Sequence, residues 1–245
     1  MITTFLFDLD GTLVQTEILK AISYARAAVQ LRPADLTEAE VIAAFGEVVG
    51  LSRQDVVKFL MKRFELEESA KSRMVELDDA TPEEAYVHLR LHIYEEMLSD
   101  HQVLYDHLLP HNTGLLQRVK SQGYRTGLAT MSHGKQARRV LDILRIAPHL
   151  DEIATRDEVT YGKPNPEIYY LVARRLGVTH EACLVIEDSA SGVKAALNAG
   201  MGCIAVTTDL TRASVHDSGL LDLRWIVDDP GQVETVVDAY MREQG

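Results

Sequence analysis

The sequence has no run approaching the roughly 18 consecutive apolar residues that a membrane span requires. It also has no internal repeat and no low-complexity segment. Only two of its 245 residues are cysteine, Cys183 and Cys203, far apart and each inside an apolar stretch. That scarcity excludes a disulfide-stapled scaffold and fits two buried, reduced thiols. Positive charge is scarce as well: 25 Lys and Arg against 37 Asp and Glu give a formal net charge of −12. Such a balance argues against nucleic acid or an anionic membrane as partner, because both attract basic patches. The nine histidines show no metal-ligand spacing. The N-terminus reads directly as a strand, without the basic and long apolar segments of a secretory signal, so a cytoplasmic location is expected. What remains is an ordinary globular composition, 46% hydrophobic and 25% charged, long enough for one large domain with an insertion.

The most informative segment is residues 5–12, Phe-Leu-Phe-Asp-Leu-Asp-Gly-Thr. A short apolar strand, expected over residues 2–8, ends in two carboxylates one residue apart. Residues at i and i+2 of an extended strand share a side, so Asp8 and Asp10 are expected close together. Gly11 permits a sharp turn directly after them. Two like charges that close need a divalent cation, a proton or a cationic substrate.

Beyond this strand the chain falls into two patterns. From Thr16 to His107 the periodicity is helical, with apolar residues at three and four spacing in 56–64 and 86–97. Thr81-Pro82-Glu83-Glu84 reads as a helix start: a hydroxyl cap, a first-turn proline and two acids at the positive dipole end. From Leu108 onward, strands alternate with helices. Residues 124–129, 184–186, 202–206 and 225–227 read as strands, and Leu184-Val185-Ile186 suits the buried centre of a parallel sheet. Asn165-Pro166-Glu167 opens one helix, and Gly200 closes the helix that follows Ser189. The alternation predicts an α/β fold, a doubly wound parallel sheet with a Rossmann-like core, and an inserted helical domain. The predicted boundaries are 1–15 and 108–245 for the core and 16–107 for the insertion. In such sheets the site lies at the carboxyl ends of the strands.

Three further groups of polar residues sit at those ends. Thr130 and Ser132 follow the strand at 124–129; a hydroxyl there can bond a phosphoryl oxygen, and Ser132 is placed to cap the next helix. His133, beside them, is the one histidine near a candidate site. Lys163 lies between Gly162 and Pro164 on a stiffened stretch just before a helix. Glu187 and Asp188 follow the apolar strand and lead into Ser189-Ala190-Ser191-Gly192-Val193.

These four segments resemble the four motifs of the haloacid dehalogenase superfamily, in its phosphatase and β-phosphoglucomutase-like branch with a small helical cap. The resemblance implies that Asp8 attacks a phosphoryl group to form a phosphoaspartate, while Asp10 protonates the leaving oxygen and later deprotonates water. Thr130 would bind phosphate, and Lys163 would neutralise Asp8 and the transferring group, a charge this acidic chain needs. Asp8, Asp10 through its main-chain carbonyl, Asp188 and Glu187 (directly or through water) would hold a metal; few, hard oxygen donors suit Mg²⁺ rather than zinc. In the cap, Glu17, Lys20 and Arg53, the last within Gly50-Leu51-Ser52-Arg53, would meet the substrate. The cap would close over a small phosphorylated metabolite. A monomer or weak homodimer is expected.

Within the superfamily, Asp10 and the Glu187-Asp188 pair argue against a metal-free dehalogenase. An ion pump would show Asp-Lys-Thr-Gly-Thr and membrane spans. The mutase branch commonly has a histidine where this chain has Lys20, and an acid is usual where it has Gln15. The expected function is therefore hydrolysis of a phosphorylated metabolite such as a sugar phosphate or phosphoglycolate. A β-phosphoglucomutase-type reaction is the alternative, and a catalytically inactive binding protein the remoter one.

Overall fold

Four consecutive buried residues, Thr4–Phe7, form β1, and two parallel neighbours enclose it. The computed structural model describes residues 1–32, 34–49 and 51–244, so Gly50 of the cap segment lies outside the described residues. The chain divides into two units: Met1–Gln15 with Leu104–Gly245, and Thr16–Val103.

In the first unit, β1 is joined by β2 (Arg125–Ala129), β3 (Glu152–Ala154), β4 (Cys183–Glu187), β5 (Gly202–Val206) and β6 (Ile226–Val227). All pairings are parallel and the order is β3-β2-β1-β4-β5-β6. The order reverses beside β1, the kind of switch point at which α/β sheets place their ligands. Alternate strand residues face opposite layers. Leu6, Ala129, Val185 and Cys203 share one core with Ile168 and Val172 of α9 (Glu167–Leu176) and Val193 of α10 (Ala190–Asn198). On the other face Phe5 packs edge-on against Tyr124, ring centres 5.1 Å apart. It lines a groove with Val119 of α7 (Pro110–Ser121) and with Val237 and Met241 of α12 (Val233–Glu243). Helices on both faces make the sheet doubly wound.

The central strands match the expected segments closely because both their faces are covered. The first strand is shorter than expected, so Asp8 and Asp10 lie just past its last paired residue. Their placement is set by the turn that follows. Leu9 carbonyl accepts from Leu13 and Val14, Gly11 N–H donates to Val14 carbonyl at 2.8 Å, and Gly11 takes φ +83°. Asn112 Nδ2 donates to Thr12 carbonyl at 2.7 Å and ties this turn to α7. Trp225 falls in a short 3-10 turn before β6, and β3 was not anticipated: only three residues long, it has only Ala154 fully buried. Cys183 and Cys203 are both buried free thiols.

The second unit is built from α1 (Thr16–Leu31), α2 (Glu38–Gly46), α3 (Arg53–Arg63), α4 (Glu67–Leu77) and α5 (Pro82–Met97). Tyr24, Phe45, Leu60, Tyr86 and Ile93 form its core, and Tyr86 Oη donates to Tyr24 carbonyl at 3.0 Å. At the start of α5, Thr81 and Glu84 make a reciprocal capping box behind Pro82. The short α6 (Gln102–Asp106) follows, and in the first unit α8 (Gly134–Ile143) and α11 (Arg212–Ser218) complete the helices named here. No helix among the described residues is long and apolar enough to cross a membrane.

Gly127 shows how tightly α9 sits on the sheet. A Cβ there would lie 2.5 Å from Val172 Cγ1 and 2.9 Å from Leu6 Cδ2. Gly127→Ala is therefore expected to cost about 1–3 kcal/mol through overpacking, read as a lowered thermal midpoint. An unchanged midpoint would contradict this close approach.

Candidate active site

Phe7 is level with Leu128 on one side and Ile186 on the other, so β1, β2 and β4 end side by side. One residue further, Asp8 N–H donates to Ile186 carbonyl at 3.0 Å, which sets Asp8 beside Ala129 and Glu187. Lys163 reaches into that space from the loop before α9. Its Nζ donates to Asp8 Oδ1 at 2.7 Å, to Ala129 carbonyl at 2.9 Å, and to Glu187 Oε1. All three donor positions of the ammonium are thus used, and the side chain is buried.

The electrostatics follow from this burial. The Asp8 carboxyl is pushed up to about 8, chiefly by desolvation, against the pull of Lys163 and with further upward pushes from Glu187 and Asp10. Desolvation also disfavours the Lys163 ammonium, yet Asp8 and Glu187 outweigh it and hold its pKa above the ordinary value. Four carboxylates, Asp8, Asp10, Glu187 and Asp188, are each at most 7% exposed here. Lys163 is the cation among them. The cluster carries more negative charge than its own groups neutralise.

Each carboxylate is held differently. Glu187 is fully engaged: Oε1 also accepts from Tyr169 Oη at 2.9 Å, and Oε2 accepts from Asp188 N–H, Ser189 N–H and Ser189 Oγ. A Cβ on Gly192 would collide with this carboxylate, so glycine in the first turn of α10 lets it seat there. Asp10 Oδ2 accepts from Thr130 Oγ1 at 3.2 Å and from Ser132 Oγ at 2.6 Å. Asp188 stands over the turn after β1, where a Cβ on Gly11 would collide with it. Asp8 Oδ2 makes no hydrogen bond among the described residues.

Ser132 does not cap the following helix. His133 is the N-cap of α8, and the Gly134 N–H donates to Asp157 Oδ2 at 2.7 Å. Asp157 Oδ1 pairs with His133 Nδ1. An acid from the short 3-10 helix after β3, Arg156–Glu158, therefore takes the helix end, which leaves the Ser132 hydroxyl to Asp10. Asp157 and Tyr169 are the participants that sequence reasoning missed. Tyr169 sits at an apolar position of α9, where an aromatic residue reads as core, and Asp157 lies in a segment without a motif.

Seven of the expected residues, Asp8, Asp10, Thr130, Ser132, Lys163, Glu187 and Asp188, thus converge at one end of the sheet. Glu17, Lys20 and Arg53 belong to the helical unit. There, Lys20 Nζ donates to Glu17 Oε1 at 2.8 Å within α1, and Arg53 begins α3 behind its Ser52 cap.

As to metal, no three His, Cys, Asp or Glu side chains are grouped as a cage among the described residues. A small hard cation does not need one, since it keeps waters and takes one or two carboxylates. The excess negative charge and the all-oxygen donors suit such an ion. With Glu187 committed on both oxygens, the groups that could hold such an ion directly are Asp8, Asp188 and the Asp10 carbonyl.

Comparison with known proteins shows the family and the fold of this chain. The family model for haloacid dehalogenase-like hydrolases matches residues 2–200. A phosphorylated carbohydrates phosphatase of Thermotoga maritima is 31% identical over 199 residues, covering 80% of this chain and 81% of that protein. A phosphoglycolate phosphatase of Shigella boydii is 28% identical over 207 residues, 82% of this chain and 79% of the relative. A crystal structure of β-phosphoglucomutase from Clostridium difficile superposes with a TM-score of 0.74 at 22% identity, over 98% of this chain and 99% of the other. That last likeness is one of fold. With the family match spanning both ends of the β1–β4 site, this chain belongs to the haloacid dehalogenase-like hydrolases.

Proposed function

We propose that this protein is a Mg²⁺-dependent phosphatase that hydrolyses a small phosphorylated metabolite through a phosphoaspartate on Asp8. The observation that carries the reading is the buried Lys163 ammonium bonded to Asp8 at the tips of three parallel strands. The ammonium favours the ionised form of Asp8 against desolvation and offsets the charge of an incoming phosphoryl group. A bound Mg²⁺ would supply further charge neutralisation at the phosphoryl oxygens, held by Asp8, Asp188 and the Asp10 carbonyl.

The chain's own residues then divide the work. An Asp8 oxygen forms a bond to phosphorus as the bond to the leaving oxygen breaks. Asp10, protonated at that moment, gives its proton to the leaving oxygen. In the second step Asp10 takes a proton from water, the water oxygen bonds to phosphorus, and the Asp8–phosphorus bond breaks to release phosphate. Thr130 and Ser132 each donate their one hydroxyl proton to Asp10 Oδ2 and hold that carboxyl in place; to bind phosphate, the role we assign to Thr130, its hydroxyl would turn from Asp10 to a phosphoryl oxygen. Glu187 acts as the fixed partner of Lys163, with Tyr169 beneath it. Burial keeps the Tyr169 hydroxyl protonated, and the Glu187 charge adds to this, so it serves as a donor.

The phosphatases named among the relatives support hydrolysis of phosphorylated carbohydrates or phosphoglycolate-like acids. For the cap, we assign Glu17, Lys20 and Arg53 to substrate recognition. The second reading, a β-phosphoglucomutase-type transfer, is disfavoured by Lys20, whose ammonium is committed to Glu17 where that branch commonly has histidine. Water is the default acceptor of an aspartyl-phosphate.

Asp8→Asn should remove turnover; activity within about tenfold of wild type, only ~1.4 kcal/mol of barrier, would exclude Asp8 as the attacking group. Chelation should abolish phosphate release and Mg²⁺ should restore it, while Ca²⁺ should inhibit, because its larger, looser shell spoils the in-line geometry. Full activity in chelator would sink the metal assignment. The two transfer readings separate on β-glucose 1-phosphate with both products followed. Phosphate release from monophosphates without a bisphosphate primer is expected. Primer-dependent conversion to glucose 6-phosphate, with negligible phosphate release across other esters, would make the mutase the correct reading.

A further inference from the structure

A polar side chain in the first turn of a helix commonly bonds that helix's own backbone. Thr113 of α7 does so: its Oγ1 donates to the carbonyls of Leu109 and Pro110. Its neighbour Asn112 does not. Asn112 is buried to 2% exposure, and its Nδ2 donates out of α7 to the Thr12 main-chain carbonyl at 2.7 Å. A carbonyl only accepts, so the amide end that faces it must be the donor. The other end carries a cost. Among the described residues, Asn112 Oδ1 is enclosed without a hydrogen-bond partner, and so is Thr12 Oγ1. An unmet buried acceptor disfavours the folded state. An aliphatic side chain at 112 would avoid that cost, so stability alone does not account for an amide there.

What the bond holds is the turn that carries Asp10. The chain leaves the first unit after Gln15 and re-enters it at Leu104. Within the first unit the two passages are paired. Gln15 N–H donates to His107 carbonyl at 2.7 Å, Val14 lies opposite Leu108 in an antiparallel bridge, and Leu109 N–H donates to Leu13 carbonyl at 3.1 Å. The Asn112 bond to Thr12 continues this series by one link toward Asp10. Only Gly11 stands between, and a glycine at φ +83° is the pliant point of the turn. Thr12 is wholly buried, so water cannot replace the amide at its carbonyl. Without that link, movement of the two passages would pass through Gly11 to Asp10.

We infer that Asn112 is a positioning residue for the phosphoryl-transfer reaction: its amide fixes the Gly11–Thr12 end of the turn, so that Asp10 keeps the orientation in which Thr130 and Ser132 meet its carboxyl. It touches no reacting atom. The kinetic consequence rests on the phosphatase reading above; the fixing of the turn is a property of the chain alone.

The test compares the full wild-type chain with Asn112→Leu and Asn112→Asp. The first removes the donor together with the unmet Oδ1 and adds apolar contact. The second keeps the shape but turns an acceptor toward a carbonyl. Measured are kcat and KM for p-nitrophenyl phosphate in Mg²⁺, the melting midpoint, and amide hydrogen exchange over residues 9–15 and over β5. In Asn112→Leu, kcat should fall about 10- to 100-fold, because small displacements at a reacting group cost that much, with KM within about twofold. Exchange at Gly11, Leu13 and Val14 should be about tenfold faster, while β5 and the melting midpoint stay near wild type. Asn112→Asp should lose at least as much activity, and Asn112→Leu decides the matter if Asn112→Asp does not fold. Wild-type kcat, or unchanged exchange over residues 9–15, in Asn112→Leu would overturn the inference. Faster exchange in both segments with a lowered midpoint would overturn it too, since that marks a residue of stability only. Wild-type protein that releases no phosphate from this or other esters in Mg²⁺ would count against the phosphatase reading, and the role of Asn112 in fixing the turn is then read from exchange over residues 9–15 alone.

Discussion

Lys163 is an ammonium ion with almost no access to water, and the first unit is organised around its three acceptors. Two are carboxylates, one just past the end of β1 and one on β4, and the third is the Ala129 carbonyl at the end of β2. Breaking a buried ion pair by removing one partner costs on the order of 3–5 kcal/mol, because it strands the other charge. The arrangement therefore depends on β1, β2 and β4 ending at the same level, which the parallel register provides. It depends equally on Glu187 being immobile. Tyr169 from α9 and the Asp188 and Ser189 amides just before α10 hold that carboxylate on both oxygens, so Lys163 is bonded to a group that cannot follow it.

The same constraint shapes the chemistry. In a chain with a net charge of −12, a phosphorylated ligand meets repulsion at long range, and attraction must be local. Lys163 provides one fixed positive charge; desolvation, with Glu187 and Asp10 adding to it, outweighs that charge and raises Asp8 to about 8. Added positive charge would lower the Asp8 pKa and favour the ionised form that the proposed attack requires. The neutral hydroxyls of Thr130 and Ser132 converge on Asp10 rather than Asp8, so the two acids of one motif stand in different surroundings. One carboxyl is bonded to a cation and the other to hydroxyl donors, a difference that suits a nucleophile beside a proton carrier.

Much of this was legible in the sequence where local signals and tertiary demand coincide. The apolar run at Leu184-Val185-Ile186 became the buried β4, and Gly202–Val206 became β5, because a strand covered on both faces must be apolar throughout. Thr81 and Glu84 formed the expected cap because that bond is made within four residues. β3 escaped notice, since three half-covered residues carry no period. The bonds around Lys163 were beyond local reading as well: 155 residues separate it from Asp8, and nothing near Tyr169 distinguishes a hydrogen-bonded hydroxyl from core packing. Ser132 has the local pattern of a cap for the same reason; only the fold brings Asp157 to the α8 terminus and frees that hydroxyl for Asp10.

The central claim is that the buried, lysine-paired carboxylate of Asp8 becomes covalently phosphorylated during turnover. It is tested most directly by quenching the enzyme mid-turnover, reducing it with borohydride, and mapping the peptide that carries residue 8 by mass spectrometry. An acyl phosphate at that position is reduced to homoserine, so homoserine at position 8, dependent on substrate and absent from Asp8→Asn, is the result the account predicts. Rapid phosphate release with an unmodified Asp8, or with the modification at another carboxylate, would contradict it.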